Sequence, residues 1–248
     1  MGARKVASLI ESQGLSKDYG EGQRYALKDL DFSFVKGSMG LIGPNGAGKS
    51  TFIKILLGLL MPTKGRATVL GKEAMKEHSV LRDVGVLHEK STYPKDVKGI
   101  KYLRYVASFK GLSESDIREA CELSGTISYI DRRIGSYSAG MLQRFGFTDA
   151  ILGLPKLVIL DEPTSNLDPL GRRDILTIIN GLKKKGVNFF VCTHILSELE
   201  RICDEILILN EGIMIDYGHI DKLRKKYKIN RDQTLEDIFV AALVGVNK

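Results

Sequence analysis

Gly43-Pro44-Asn45-Gly46-Ala47-Gly48-Lys49-Ser50-Thr51 fits the spacing G-x-x-x-x-G-K-[S/T] and lies between a short apolar run, Met39 to Ile42, and a stretch of helical character. The motif limits what the chain can fold into, because it works only as a loop between a strand and a helix. Its glycines let backbone amides from about Asn45 to Thr51 turn inward around phosphate oxygens, where a Cβ would obstruct the approach. The start of the helix adds partial positive charge. Lys49 is placed to neutralise β- and γ-phosphates, and the Ser50 hydroxyl to hold Mg²⁺. Alone, the loop implies a bound nucleotide and nothing narrower.

The rest of the pattern supplies that frame. The first ninety or so residues read as strand-rich, with strands expected at Leu30 to Val35, Met39 to Ile42, Arg66 to Leu70 and Val84 to Leu87. A helix is expected from about Gly48 to Leu60, stopped by Met61-Pro62. The character then changes: Val97 to Lys110, Ser113 to Leu123 and Ser138 to Leu152 have helical spacing. Leu157 to Leu160 restores an apolar strand. Helices (Pro169 to Lys185, Ile195 to Cys203) then alternate with strands (Phe189 to Thr193, Ile206 to Asn210, Ile213 to Tyr217). The expected organisation is an α/β core, 1–90 and 155–220, interrupted by a helical insert, 91–154, and followed by a helical tail, 221–248. Within the tail, Thr234 to Leu243 reads as a helix capped by Thr234, with Glu236 and Asp237 in its first turn.

Composition excludes several alternatives. With 43% hydrophobic and 27% charged residues, the 248-residue chain has neither a disorder nor a fibre signature. Its longest apolar stretch, Phe52 to Met61, is interrupted by Lys54 and is about half the roughly twenty residues that a bilayer span needs. The first residues carry no apolar signal region, and Val6 does not suit Gly2 to myristoylation. Cys121, Cys192 and Cys203 have no CxxC spacing and read as reduced, mostly buried thiols. Cys192, His194 and Cys203 make a poor zinc set, since no fourth ligand is close in sequence. The net charge of +7 attracts nucleotide, nucleic acid or phospholipid alike and does not discriminate among them.

Two further segments carry chemistry. Leu157-Val158-Ile159-Leu160-Asp161-Glu162 is a buried strand ending in two carboxylates, and such a strand delivers its last side chains to a ligand crevice. Asp161 is suited to orient water on Mg²⁺, and Glu162, on the opposite side, to polarise an attacking water. Gly135-Ser136-Tyr137-Ser138-Ala139-Gly140-Met141-Leu142-Gln143-Arg144 opens a helix, with Ser138 as N-cap and Gly140 leaving the first turn uncluttered. A plain cap explains that segment by itself; a small-residue helix mouth is also an anion receptor.

In this order the segments resemble the ATPase subunit of ABC transporters, from about Leu9 to Ile220. GPNGAGKST matches the phosphate loop, and YSAGMLQR the family signature through Ser138, Gly140, Gln143 and Arg144. LVILDEPTSNLD matches the Walker B strand and the loop after it, with Asp168 as the loop aspartate. His194 matches the switch histidine, Tyr19 the aromatic that stacks on adenine, and Glu89 the position that usually carries glutamine. The resemblance implies a P-loop NTPase core with an antiparallel β subdomain and an inserted α-helical subdomain. It implies Lys49, Glu162 and His194 in catalysis, and Ser50, Glu89 and Asp161 around Mg²⁺. Residues 43–51, Tyr19, Glu89, Ser138, Gly140, Asp161, Asp168 and His194 would touch ATP. Three departures stand out: Glu89 adds charge near Glu162, and Ala139 and Met141 replace the usual Gly and Gln of the signature.

The family works as a homo- or heterodimer in which each ATP lies between one subunit's phosphate loop and the other's signature helix. The partner is an integral membrane permease subunit, so the expected location is cytoplasmic, peripheral on the inner face of the cell membrane. Thr234-Leu-Glu-Asp-Ile-Phe239 resembles the tails of subunits for drug, polysaccharide or lipid export. An alternative is a non-transport ABC ATPase on the ribosome or nucleic acid, suggested by Lys183-Lys184-Lys185 and the basic run at Arg224 to Lys226. Such proteins carry paired ATPase domains or a coiled-coil insert, which this chain lacks, so no nucleic acid is expected. A regulatory nucleotide binder without turnover is disfavoured by Glu162 and His194.

Overall fold

The chain divides into two units, Met1–Leu81 with Cys192–Lys248, and Arg82–Val191. The computed structural model describes residues 8–20, 25–230 and 233–246, so Gly2 and Val6 lie outside the described residues. In chain order the first unit's opening elements are β1 (Ile10–Lys17), β2 (Leu27–Phe34), β3 (Ser38–Ile42), α1 (Lys49–Leu56) and β4 (Lys64–Val69). The second unit holds β5 (Val84–Leu87), α2 (Gly99–Lys110), α3 (Glu114–Ser124), α4 (Ala139–Ile151), β6 (Leu157–Asp161), α5 (Pro169–Lys184) and β7 (Asn188–Cys192). The first unit resumes with α6 (Leu196–Ile202), β8 (Glu205–Asn210), β9 (Ile213–His219), α7 (Ile220–Lys226) and α8 (Leu235–Val246).

In the first unit, β2-β1-β4 form an antiparallel sheet. Strand β2 alternates from Leu30 onward, with Leu30, Phe32 and Phe34 inward, and Leu27 is buried as well across a register shift at Asp29 (φ 46°). Strand β1 pairs Ile10 with Phe34 on one side and with Val69 on the other. It buries Ser12 and Ser16 beside Ile10 and Leu15. Strand β3 runs parallel to β8, which pairs antiparallel with β9. All five residues of β3 are buried, as are Ile206 to Leu209 of β8. Asp204 anchors the entry to β3: its carboxylate accepts from the Ser38 amide (3.0 Å) and hydroxyl (2.8 Å).

Helix α1 is shorter than its apolar run predicts. It ends at Leu56 because Gly58 turns into the left-handed region (φ 68°), where an added Cβ would lie 2.9 Å from the Ala74 backbone. Gly58, not Pro62, is therefore the stop. In the tail, α8 opens as expected, with the Asp237 carboxylate accepting from the Thr234 amide (2.8 Å) and hydroxyl (3.1 Å). Arg224 on α7 pairs with Glu200 on α6.

In the second unit, β5 and β6 are parallel, with Val84 opposite Leu157 and Leu87 opposite Leu160, and β7 lies beside β6. Helix α4 approaches β5 closely because position 85 is glycine: a Cβ there would sit 1.7 Å from the Ala150 carbonyl. Phe145 of α4 anchors an edge-to-face cluster with Tyr93, Tyr102 and Tyr137, ring centroids 5.1 to 5.7 Å apart. Helix α3 carries a full capping box from Ser113 and Asp116. The three cysteines are buried. Among the described residues, no helix is long and apolar enough to cross a membrane.

Candidate functional site

The phosphate loop leaves buried β3 at Gly43 and enters α1 at Lys49. Steric contact dictates its first and last glycines. A Cβ at Gly43 would lie 2.3 Å from the Leu209 carbonyl oxygen, and one at Gly48 2.3 Å from that of Ala26. Gly48 is also left-handed (φ 102°) and caps α1 without any side-chain hydrogen bond. The first amides of α1, which have no partner within the helix, are therefore not taken by a cap. Gly46 (φ 81°) has open space where its Cβ would be, and Asn45, Gly46 and Ser50 are exposed. The Lys49 ammonium bridges the loop, donating to the carbonyls of Gly43 (2.7 Å) and Pro44 (3.0 Å). One of its three N–H donors remains beyond those two bonds.

Tyr19 belongs to this cluster. Its hydroxyl is 3.3 Å from Thr51 Oγ1, the Lys17 ammonium lies 5.2 Å from its ring centroid, and 60% of its surface is exposed. It presents a large, mostly exposed aromatic face beside the phosphate loop. His194, also in the first unit, is exposed in the segment after β7, where the Thr193 hydroxyl accepts from the Ile195 amide (3.1 Å).

The second unit holds the carboxylates. Because Leu87 and Leu160 are paired, β5 and β6 end at the same level; Glu89 follows one and Asp161-Glu162 the other. Glu89 is exposed, whereas Asp161 and Glu162 are half-buried. Glu162 is left-handed (φ 54°), which is uncommon for a residue with a Cβ. Its carbonyl accepts from the Ser165 amide (3.2 Å) and from Gln143 Nε2 (2.9 Å), which also donates to the Pro163 carbonyl (3.0 Å). Asp168 caps α5: its carboxylate accepts from the Gly171 amide (2.8 Å), and Pro169 follows at the first helical position.

Ser138 caps α4 as the sequence suggests, its hydroxyl accepting from the Met141 amide (3.2 Å). Ser138 and Ala139 are exposed at the helix mouth. A Cβ at Gly140 would come within 3.4 Å of the Asn166 carbonyl, so the first turn of α4 lies against the loop that follows Glu162. The resemblance to the signature covers Gln143 but assigns it no task. The available signal was an amide in a helix buried on most sides, since a buried amide implies a partner.

The donors fit Mg²⁺ in its nucleotide-bound form. Among the described residues, no cluster of three or more His, Cys, Asp or Glu could cage a metal ion. The exposed Ser50 hydroxyl at the start of α1 is a hard oxygen donor of the kind that suits Mg²⁺.

The residue pattern of the ABC transporter family matches residues 27–165. The lantibiotic transport ATP-binding protein SrtF of Streptococcus pyogenes is 35% identical over 232 residues, covering 93% of this chain and 96% of SrtF. The bacitracin transport ATP-binding protein BcrA of Bacillus licheniformis is 33% identical over 229 residues, covering 90% of this chain and 74% of BcrA. A solved ATP-binding subunit of an ABC transporter superposes with a TM-score of 0.86 at 30% identity, covering 95% of this chain and 100% of its own. A nucleotide-free ATP-binding cassette, 23% identical with a TM-score of 0.75, shares the fold. A chain with this phosphate loop, this acidic strand end and these relatives belongs to the ABC transporter family, as an ATP-binding and ATP-hydrolysing subunit.

Proposed function

We propose that two copies of this chain, or one copy and a close relative, clasp ATP head to tail and drive a separate membrane permease in export. The observation that carries this reading is that the molecule offers two helix mouths suited to anions. One is the uncapped start of α1 with Lys49; the other is the exposed start of α4 at Ser138. A triphosphate lying on Lys49 leaves its terminal phosphate outward, and the Ser138 mouth of another copy is chemically matched to it. Tyr19 stacks on adenine. Lys49 and the loop amides hold the phosphates.

Ser50, Asp161 and Glu89 are the residues proposed to hold Mg²⁺, which when bound neutralises charge on the phosphates. Glu162 accepts a hydrogen bond from the attacking water and orients it, and His194 contacts the terminal phosphate. Asp168 and Gly140 border the nucleotide. ATP favours the closed dimer; hydrolysis removes that preference, and only a differential affinity of this kind can move a partner. The peripheral position on the inner membrane face follows from a permease partner. Export is supported by the lantibiotic and bacitracin transport relatives.

Glu162→Gln tests the reading. The amide cannot accept the water's proton, so the variant should bind ATP, lose turnover and elute as a nucleotide-bound dimer in size-exclusion chromatography. A Glu162→Gln chain that turns ATP over at the wild-type rate, or stays monomeric at saturating ATP, contradicts the proposal.

A further inference from the structure

We infer that Gln143 is a positioning residue that ties the mouth of α4 to Glu162 of the same chain, so that nucleotide held at one site of the dimer sets the geometry of the other. The inference rests on the head-to-tail reading above and adds to it a named link. Gln143 is 8% exposed, and both of its hydrogen bonds go to backbone carbonyls, those of Glu162 at 2.9 Å and Pro163 at 3.0 Å. Carbonyls only accept, so chemistry alone decides which end of the amide faces them: Nε2. Pro163 has no N–H, which leaves its carbonyl as its one polar backbone handle.

Those two carbonyls belong to the turn that aims Glu162. A residue continuing β6 would be extended; Glu162 is left-handed instead (φ 54°), so the turn decides where its carboxylate points. The Ser165 amide closes that turn on the Glu162 carbonyl (3.2 Å), and Gln143 holds it from the side of α4. Gln143 lies five residues beyond Ser138, about 7.5 Å along a rigid helix. Near the start of the same helix, Gly140 leaves only 3.4 Å between a would-be Cβ and the Asn166 carbonyl. Helix α4 is thus bonded to the turn through Gln143 and runs close to it at Gly140, so a shift of its mouth is passed to Glu162.

In the proposed dimer, Ser138 meets the nucleotide lying on the other copy's Lys49. Helix α4 therefore senses one nucleotide while holding the glutamate that serves the other. Turnover should then rise sigmoidally with ATP, and the sigmoid should depend on the Gln143 amide.

The test uses the full chain with two substitutions. Gln143→Met keeps the side chain's length and removes the donor. It should lower kcat about tenfold to a hundredfold, as expected for a misplaced catalytic group, and make the ATP dependence hyperbolic. Binding of a fluorescent ATP analogue and the thermal midpoint should stay near wild type. Gln143→Glu presents a carboxylate to two carbonyls at pH 8 and a donating carboxyl once protonated, so its turnover relative to wild type should recover several-fold at pH 6.

The inference is overturned if Gln143→Met keeps wild-type kcat and a sigmoidal response, or loses nucleotide binding in proportion to kcat. It is also overturned if the Gln143→Glu ratio does not change with pH, and this second variant decides the matter should Gln143→Met fold poorly. A wild-type chain without ATP turnover removes the head-to-tail reading itself; wild-type turnover indifferent to Gln143 removes only the link.

Discussion

The helices α1 and α4 both begin at an exposed mouth suited to anions, yet they are built in opposite ways. Helix α1 starts at a left-handed glycine with no side-chain cap, carries Lys49 across its opening, and has Lys54 in its last turn, where a cation suits the helix dipole. Helix α4 starts at Ser138, whose hydroxyl already satisfies the Met141 amide, and its last turn carries Asp149. The first mouth has no side-chain cap on its amides, whereas the second already has one amide satisfied by Ser138. In the proposed dimer this difference has a meaning: one mouth holds nucleotide within a single chain, and the other exchanges part of its cap for a ligand contact when a second chain arrives.

The sharpest way to break this comparison is to disable each mouth in turn. Lys49→Ala should cut turnover by about 10²–10³-fold and weaken nucleotide binding by the isolated chain, since it removes the charge that faces the phosphates. Ser138→Ala should cut turnover about tenfold while nucleotide binding by the single chain persists. It should also lower stability by about 1 kcal/mol through the lost cap. Steady-state ATPase assays beside nucleotide titrations of monomer separate the two. Equal loss of monomer binding in both variants would erase the distinction.

Backbone strain gives a smaller contrast. Gly48→Ala forces a Cβ to within 2.3 Å of the Ala26 carbonyl at a positive φ, and should cost about 1–3 kcal/mol in chemical denaturation. Gly140→Ala meets its neighbour at 3.4 Å in a helical conformation, and the gain in helix propensity offsets the crowding, leaving stability within about 0.5 kcal/mol.

Those glycines also show what the sequence made legible. The phosphate loop could be read because its chemistry is written in residue types that sterics demand, Gly43 and Gly48 above all. The Walker B strand could be read because β6 is a continuous apolar run ending in acid. Strand β1 is hard to read because Ser12 and Ser16 occupy inward positions and break the alternation that marks a strand. The apolar run of α1 continues past Leu56 and implies a longer helix than forms, since only the backbone at Gly58 reveals the turn. The task of Gln143 stayed hidden because its partners are carbonyls, which every residue has.

A last, pH-dependent contrast concerns the far end of α4. Burial pushes the Asp149 carboxyl up to about 6, against the opposing pull of the Lys110 charge and the Tyr102 hydroxyl 3.3 Å away. Its folded pKa exceeds its unfolded value, so the native state binds the extra proton between about pH 4 and pH 6. That contribution to stability therefore falls as pH rises through this window. Asp149→Asn should flatten the slope and raise stability at pH 7–8 by on the order of 1 kcal/mol, read from thermal or urea midpoints across pH. An unchanged slope would mean that the carboxyl is not the source.

The account turns on one nucleotide touching both mouths, from different chains. The direct measurement is an experimental structure of Glu162→Gln with ATP and Mg²⁺. The predicted result is a dimer in which Ser138 Oγ of one copy lies within hydrogen-bond reach, about 3.5 Å or less, of the terminal phosphate of the nucleotide on the other copy's Lys49. A nucleotide bound on Lys49, with Ser138 of every copy left in solvent, would contradict it.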